Sequence, residues 1–251
     1  MMKELTGKKE IISHLKEKIL VLEGFSSGTG NLQPDFGLGP VNAAFPGGVF
    51  PVGAVHEFVS PTEVGAAAAN GFLSFLLGTL MKTGGVCLWI SAGRKLFPSS
   101  LKFFGVEPHR VIFVDVARDR DVLWVMEQGL KCSALAAVVA ELRDVSFAES
   151  RRLQLAAGTG GVTGFLHRQH LYTENTLACV SRWKIRPLPG RTDDGLPGVG
   201  FPRIEVELAK IRNGRPGIWQ FEWQDGVFLH VPVQRPAVPM PGLPKKERRY
   251  A

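Results

Sequence analysis

Between residues 49 and 181, short unbroken apolar runs alternate with stretches of helical spacing, and that alternation restricts the fold more than any other feature. The runs are Ala54–Val59, Val86–Ser91, Val111–Val114, Leu135–Ala140 and Val162–His167. A strand that is apolar at nearly every position is covered on both faces, as in a parallel sheet between helices, whereas a half-exposed strand alternates. Helical patterns lie between the runs at Val64–Met81, Leu96–Phe104, Arg120–Leu130 and Phe147–Ala157, which is the order of repeated βαβ units. From Thr176 the pattern changes. Cys179–Ile185, Ile204–Ile211, Trp219–Trp223 and Val227–Val231 read as antiparallel strands, with Asn213-Gly214 and Asp225-Gly226 as hairpin turns. The expected fold class is α/β: a mostly parallel central sheet, helices on both faces, and antiparallel C-terminal strands.

The flanks differ in composition. Residues 8–23 place Ile11, Ile12, Leu15, Ile19 and Leu22 three and four apart, the spacing of an amphipathic helix that packs either on its own domain or on a partner or subunit surface. Residues 25–48 are rich in Gly, Ser, Asn and Pro and read as a linker. The end of the chain is Pro-rich and carries Lys245, Lys246, Arg248 and Arg249, the composition of a disordered basic tail. The expected layout is an N-terminal helix at 1–24, a linker at 25–48, a core domain at 49–231 and a tail at 232–251. The formal charge of +7 permits a polyanionic partner without requiring one. Cys87, Cys132 and Cys179 are odd in number, far apart and in apolar settings. They suit a reducing cytoplasm and neither a disulfide framework nor a zinc site. The apolar run Ala66–Met81 is broken by Asn70, Ser74 and Thr79 and is shorter than the roughly 20 residues a bilayer needs. It is expected to be a buried helix, and no membrane contact is expected.

Val55–Ala69 (VHEFVSPTEVGAAAA) reads as a strand, a tight turn and the opening of a helix. A phosphate-binding loop places a Gly there, then four residues, then Gly-Lys-Ser/Thr, so that backbone N–H groups and the Lys cradle phosphates. In that frame Ser60 holds the first Gly position, Gly65 the second, Ala66 the Lys position and Ala67 the position of the magnesium-holding hydroxyl. Tight triphosphate binding is not expected from such a loop.

Several further segments keep the same order. Gly47–Phe58 leads into the first strand, and Cys87–Val106 runs apolar strand, small residue, Pro98, then Gly105-Val106. Leu135–Asp144 and Val162–Gln169 follow, and later Lys210-Ile211-Arg212 before Pro216. Together they resemble the RecA recombinase core from Gly47 to about Val227. The resemblance puts Gly93 at the catalytic Glu position, Glu141 at the metal-steering position and Arg168 or Gln169 at the γ-phosphate-sensing position. Lys210 and Arg212 fall on the basic pair that caps a neighbour's nucleotide. A general base needs a carboxylate or imidazole, and Gly93 supplies neither. No catalytic residue, cofactor or metal is therefore expected. An ATPase using an altered loop and Glu141 is the enzyme alternative. Both DNA-binding loops of the recombinase read as cut short.

Leu22-Glu23-Gly24, His56-Glu57-Phe58, Asp121–Leu142, Arg151–Leu166 and Phe201–Trp223 are similar in detail to the ImuA family, the RecA-like accessory proteins of damage-inducible mutagenesis cassettes. That similarity implies a non-catalytic adaptor in translesion synthesis during the SOS response. It would work by contact with a polymerase-like ImuB partner, with RecA, and with an error-prone replicative-type polymerase. The alternatives are a DNA-binding accessory protein contacting single-stranded DNA, and an SOS cell-division inhibitor.

Other residues carry both a plain and a functional reading. Arg182, Lys184 and Arg186 alternate with Trp183 and Ile185, so they form either a nucleic-acid stripe or the wet side of a sheet. Arg215 and Trp219 are residue types that anchor interfaces, or Trp219 faces the core of an edge hairpin. Trp124, Met126 and Leu130 are expected in the core, and Arg151 and Arg152 on a solvated face. His56 and His167 are expected to be core or edge residues. Glu57 and Glu141 are expected near the eroded pocket without a cation partner, in a structural role.

Overall fold

The unbroken apolar runs fold as the inner strands of one nine-stranded sheet, ordered β3-β2-β4-β5-β1-β6-β7-β8-β9. The strands are β1 Val55–Ser60, β2 Val86–Ser91, β3 Val111–Asp115, β4 Leu135–Leu142, β5 Thr163–Gln169, β6 Ser181–Arg191, β7 Phe201–Ile211, β8 Gly217–Gln224 and β9 Val227–Val231. The computed structural model describes residues 35–93, 95–171, 173–192 and 199–232. The predicted helix at 8–23, with Leu15, Ile19 and Leu22, and the tail residues Lys245, Lys246, Arg248 and Arg249 lie outside the described residues.

Among the described residues three α-helices cover the parallel half: α1 Glu63–Leu80, α2 Asp119–Leu130 and α3 Phe147–Gly160. One face of the sheet packs on α1 through Phe58, Phe72, Leu73, Leu76 and Trp183. The other face packs on α2 and α3 through Val122, Met126, Leu130, Leu153 and Leu166. Central β1 is buried along its whole length, and edge strand β3 is not, as two-sided coverage requires. The result is a RecA-like α/β core with antiparallel C-terminal strands, as expected. Of the helices, α1 alone among the described residues is long and apolar enough to cross a membrane, and most of it is buried in the core.

The structure departs from the sequence reading in several places. Strand β6 pairs parallel with β1 on one edge and antiparallel with β7 on the other, so it joins the two halves of the sheet. The pattern at Leu96–Phe104 is a 3-10 helix, Pro98–Phe104, closed by Gly105 at φ 74°. From residue 35 the expected linker is docked: Phe36, Leu38, Val41 and Phe45 are buried, and Phe45 packs on Trp183 at 6.0 Å between ring centroids. Cys132 is exposed while Cys87 and Cys179 are buried. Met126 and Leu130 are in the core, but Trp124 is 63% exposed. Asp225 and Gly226, at φ 50° and 80°, make the two-residue turn between β8 and β9, the geometry Asp-Gly favours.

Candidate functional site

The parallel strands all end on one edge of the sheet, where open α/β sheets bind ligands. The turn from β1 to α1 lies there and contains only Pro61 and Thr62. Thr62 is extended, and its hydroxyl accepts from the Gly65 N–H at 3.1 Å. Its carbonyl accepts from the Ala66 N–H at 2.9 Å. These are N–H groups that a phosphate cradle would point at its ligand. Here an ordinary Ser/Thr N-cap uses them. Ser60 is buried and accepts from His167 Nε2 at 2.9 Å. Gly65 and Ala66 are buried in the first turns of α1, and Ala67 is exposed.

The first residue of α1 is itself acidic. The Glu63 carboxylate meets Lys95 Nζ at 2.9 Å and His170 Nε2 at 2.9 Å. The hydrogen bond from Lys95 leads the effects that hold the Glu63 carboxyl below its usual range. The helix N-terminus favours the same negative charge.

Beside it opens a cavity of about 440 Å³ with Gly93, Lys95, Glu141, Gln169 and His170 on its walls. Gly93 offers no side chain. Glu141 is buried and accepts from Trp89 Nε1 at 3.0 Å. Burial pushes its carboxyl up, opposed by hydrogen bonds from Trp89, Asn70 and Gln169 and by the charge of Lys95. Among the described residues no group of three or more His, Cys, Asp or Glu is placed to hold a metal ion.

The two residues at the sensing position part company. Gln169 lines the cavity and donates to His167 Nδ1 at 3.3 Å. Arg168 is fully buried and does not line it, though its guanidinium reaches Asp144 on the cavity wall at 3.4 Å. Its guanidinium pairs with Glu57 Oε1 at 3.0 Å and donates to the carbonyls of Arg143 and Thr173. Glu57 also takes Arg182 Nε at 2.6 Å. Contrary to the sequence reading, Glu57 thus has two cation partners, and they tie β1, β5 and β6 together. The connection from β5 to β6 is longer than expected and is held down. Asn175 Nδ2 donates to the Val145 carbonyl at 2.8 Å, and the Ala178 N–H to Ser150 Oγ at 3.0 Å.

The alternating cations of β6 are each answered by carboxylates. Arg182 and Lys184 share Glu174, at 2.9 and 2.8 Å. Arg186 takes Glu205 and Glu207 of β7, at 2.8 and 2.6 Å. Lys210 Nζ donates to the Leu177 carbonyl at 2.9 Å, and Arg212 to that of Ala178 at 3.1 Å. Arg215 is exposed, and its backbone N–H donates to Ala44. Trp219 is half-buried against the core. Arg151 is exposed, and Arg152 meets Glu127 of α2.

Both buried histidines are neutral. Nε2 of His56 donates to the Pro51 carbonyl, and Ser181 Oγ, which accepts from Trp183 Nε1, lies 2.7 Å from Nδ1. Burial drives His56 down to about 4 and His167 to about 3. Sequence reasoning missed Thr62, Glu63, Lys95 and His170. A Thr followed by an acidic residue before an apolar helix is a readable cap signal, whereas the Lys95 and His170 contacts come from distant loops.

Comparison with known proteins adds a relationship to this geometry. The chain is 32% identical to Protein ImuA of Caulobacter vibrioides over 202 residues, 76% of this chain and 83% of that protein, in strain NA1000 and equally in strain CB 15. It is 34% identical to the cell division inhibitor SulA of Edwardsiella piscicida over 113 residues, 43% of this chain and 66% of that one. No family model matches the chain.

Proposed function

The chain belongs to the ImuA family, and from that membership we propose that it serves in damage-induced mutagenesis as a RecA-like adaptor that acts by protein contact and turns over no nucleotide. The observation that carries this reading is the β1–α1 turn. The Gly65 and Ala66 N–H groups are used by Thr62, the Lys and hydroxyl positions are Ala66 and Ala67, and Glu63 at the first position of α1 puts a negative charge, paired with Lys95 and His170, at the mouth of the turn. A site so arranged has no grip on a triphosphate and no base at Gly93. What remains is a rigid frame for displaying surfaces. The partners proposed are an ImuB-like polymerase-related protein, RecA and the error-prone replicative-type polymerase.

The test is co-purification of the full-length chain with each purified partner through gel filtration. Retention of the ImuB-like protein or RecA is the expected result. Folded protein that retains none of them would reject the adaptor role.

A second reading, a cell-division inhibitor, is favoured by the shorter match to SulA. It predicts that overproduction produces filamentous cells even when the mutagenesis partners are absent. A DNA-binding accessory role rests on the +7 charge, but Arg182, Lys184 and Arg186 are compensated by carboxylates. Binding to single strands that falls steeply with salt would support it.

A further inference from the structure

Helices α2 and α3 each pack one face on the sheet. On the outward side of α2, Arg120, Trp124, Glu127 and Lys131 recur at spacings of four and three, which makes one helical stripe. Ala148, Arg152 and Leu155 make the corresponding stripe on α3. The ion pair between Glu127 and Arg152 brings the two stripes together. Between the helices lies a hollow of about 220 Å³, with Leu123, Trp124 and Leu153 as its apolar walls. Trp124 is 63% exposed and Leu155 64%, so large apolar side chains stand open beside an apolar hollow. From Arg118 to Lys131 and from Ser146 to Gly161, every exposed charged residue is a cation: Arg118, Arg120, Lys131, Arg151 and Arg152. The carboxylates of the same segments are partly buried and engaged. Arg118 and Arg120 share Asp121, at 2.7 and 3.6 Å, and Lys131 and Arg152 share Glu127. Asp119 accepts the Arg143 N–H, and Glu149 accepts the N–H and hydroxyl of Ser146. Arg151 meets no carboxylate among the described residues. Four cations on two carboxylates, with a fifth on none, leave a positive rim around an apolar centre.

We infer that this face receives an acidic amphipathic helix of a partner protein. The helix seats one large apolar side chain in the hollow beside Trp124 and sets its carboxylates against Arg120, Arg151 and Arg152. Helices lie in grooves by apolar anchors at this spacing, and Trp and Arg are the residue types that carry most interface energy. The ends of this chain have the wrong charge for the role. Residues 8–23 carry Lys8, Lys9, Lys16 and Lys18 against Glu10, Glu17 and Glu23, and Lys245, Lys246, Arg248 and Arg249 make the last residues basic. A second copy of the chain brings a net charge of +7 to a positive rim. A nucleic-acid strand fits less well, because the carboxylates of Glu127 and Glu149 stand in the walls of the hollow and repel phosphate. The inference rests on the adaptor reading and gives the partner's contact segment a chemistry.

The experiment is fluorescence anisotropy of a fluorescein-labelled peptide titrated with the full-length protein. The peptide is an acidic helix of about four turns, with Leu at helical spacing among Glu residues. Beside it run a peptide of the same composition with the Leu spacing scrambled, a version with Lys in place of Glu, and oligo-dT. The expected result is saturable binding of the acidic helix, weakened by salt, and at least about tenfold weaker binding of the scrambled and lysine peptides. Trp124→Ser and the double variant Arg120→Glu/Arg151→Glu each weaken binding at least about tenfold while keeping the urea midpoint of the parent. All three positions are exposed, and if Trp124→Ser lowers the midpoint the arginine variant decides. Absent binding, equal binding of the scrambled peptide, or undiminished binding in both variants would overturn the proposal. Binding of oligo-dT that Trp124→Ser abolishes would give the face to nucleic acid and also overturn it. Failure here with partner co-purification intact would remove this face and leave the adaptor role standing. Peptide binding without co-purification would do the reverse.

Discussion

Replacing Arg168 with Met separates a scaffold role from a ligand-sensing one. Arg168 and Glu57 are both about 1% exposed and lie 3.0 Å apart. Removing one partner of such a pair leaves an uncompensated buried charge, which costs about 3–5 kcal/mol. Arg182 still reaches Glu57 at 2.6 Å, so the loss falls at the low end, about 3 kcal/mol. For a domain of this size that lowers Tm by about 6–12 °C. Urea unfolding followed by tryptophan fluorescence measures it directly, with an unchanged m-value if only stability has moved. Glu57→Gln is expected to cost a similar amount. The double variant Glu57→Gln/Arg168→Met is expected to cost much less than the two singles added, because the pair is removed together. A loss under about 1 kcal/mol for Arg168→Met, or strict additivity in the double variant, would refute the account of this network.

Thr62→Ala removes the cap of α1 and is expected to cost about 1 kcal/mol in the same assay, without creating nucleotide binding. The histidines make stability depend on pH. His56 and His167 are held at about 4 and about 3 in the fold against about 6.5 unfolded. The unfolded chain therefore binds more protons below pH 6.5, and stability falls as pH drops from 6.5 towards 4, at up to about 1.4 kcal/mol per pH unit for each histidine. Glu141, raised by burial, acts in the opposite sense above the unfolded carboxylate value. His167→Gln should flatten the slope in urea titrations, and an unchanged slope would contradict the burial argument. Burial pushes the Cys87 and Cys179 thiols up to about 12 while Cys132 is exposed. A disulfide-exchange reagent should thus label Cys132 alone in the native protein and all three cysteines in denaturant.

The parallel half of the fold was legible because strands buried on both faces need no partner to declare themselves. Val86–Ser91 and Leu135–Leu142 are apolar at nearly every position. Phe36, Leu38 and Phe45 were not legible as core. Their neighbours are Gly, Pro and Asn, and what buries them is contact with residues far along the chain, such as Trp183. Trp124 could have been placed correctly. Val122, Met126 and Leu130 recur every four residues along α2, and a residue two positions from Val122 and Met126 lies off that stripe. The charges of β6 were visible, but their neutralisation depends on register. Arg186 lies opposite Glu205, a pairing only the observed register of β6 with β7 supplies, and Arg182 and Lys184 are met by Glu174 from the connection before β6. At the site, the phosphate-loop frame drew attention to Ser60 and Gly65, while Thr62 between them decides what the turn does.

The most direct test of the account is calorimetry of the full-length protein with ATP and magnesium. With the Gly65 and Ala66 N–H groups held by Thr62 and the Glu63 carboxylate at the helix start, no saturable heat is expected, any affinity being weaker than about 1 mM. A one-to-one isotherm with a micromolar Kd would contradict it.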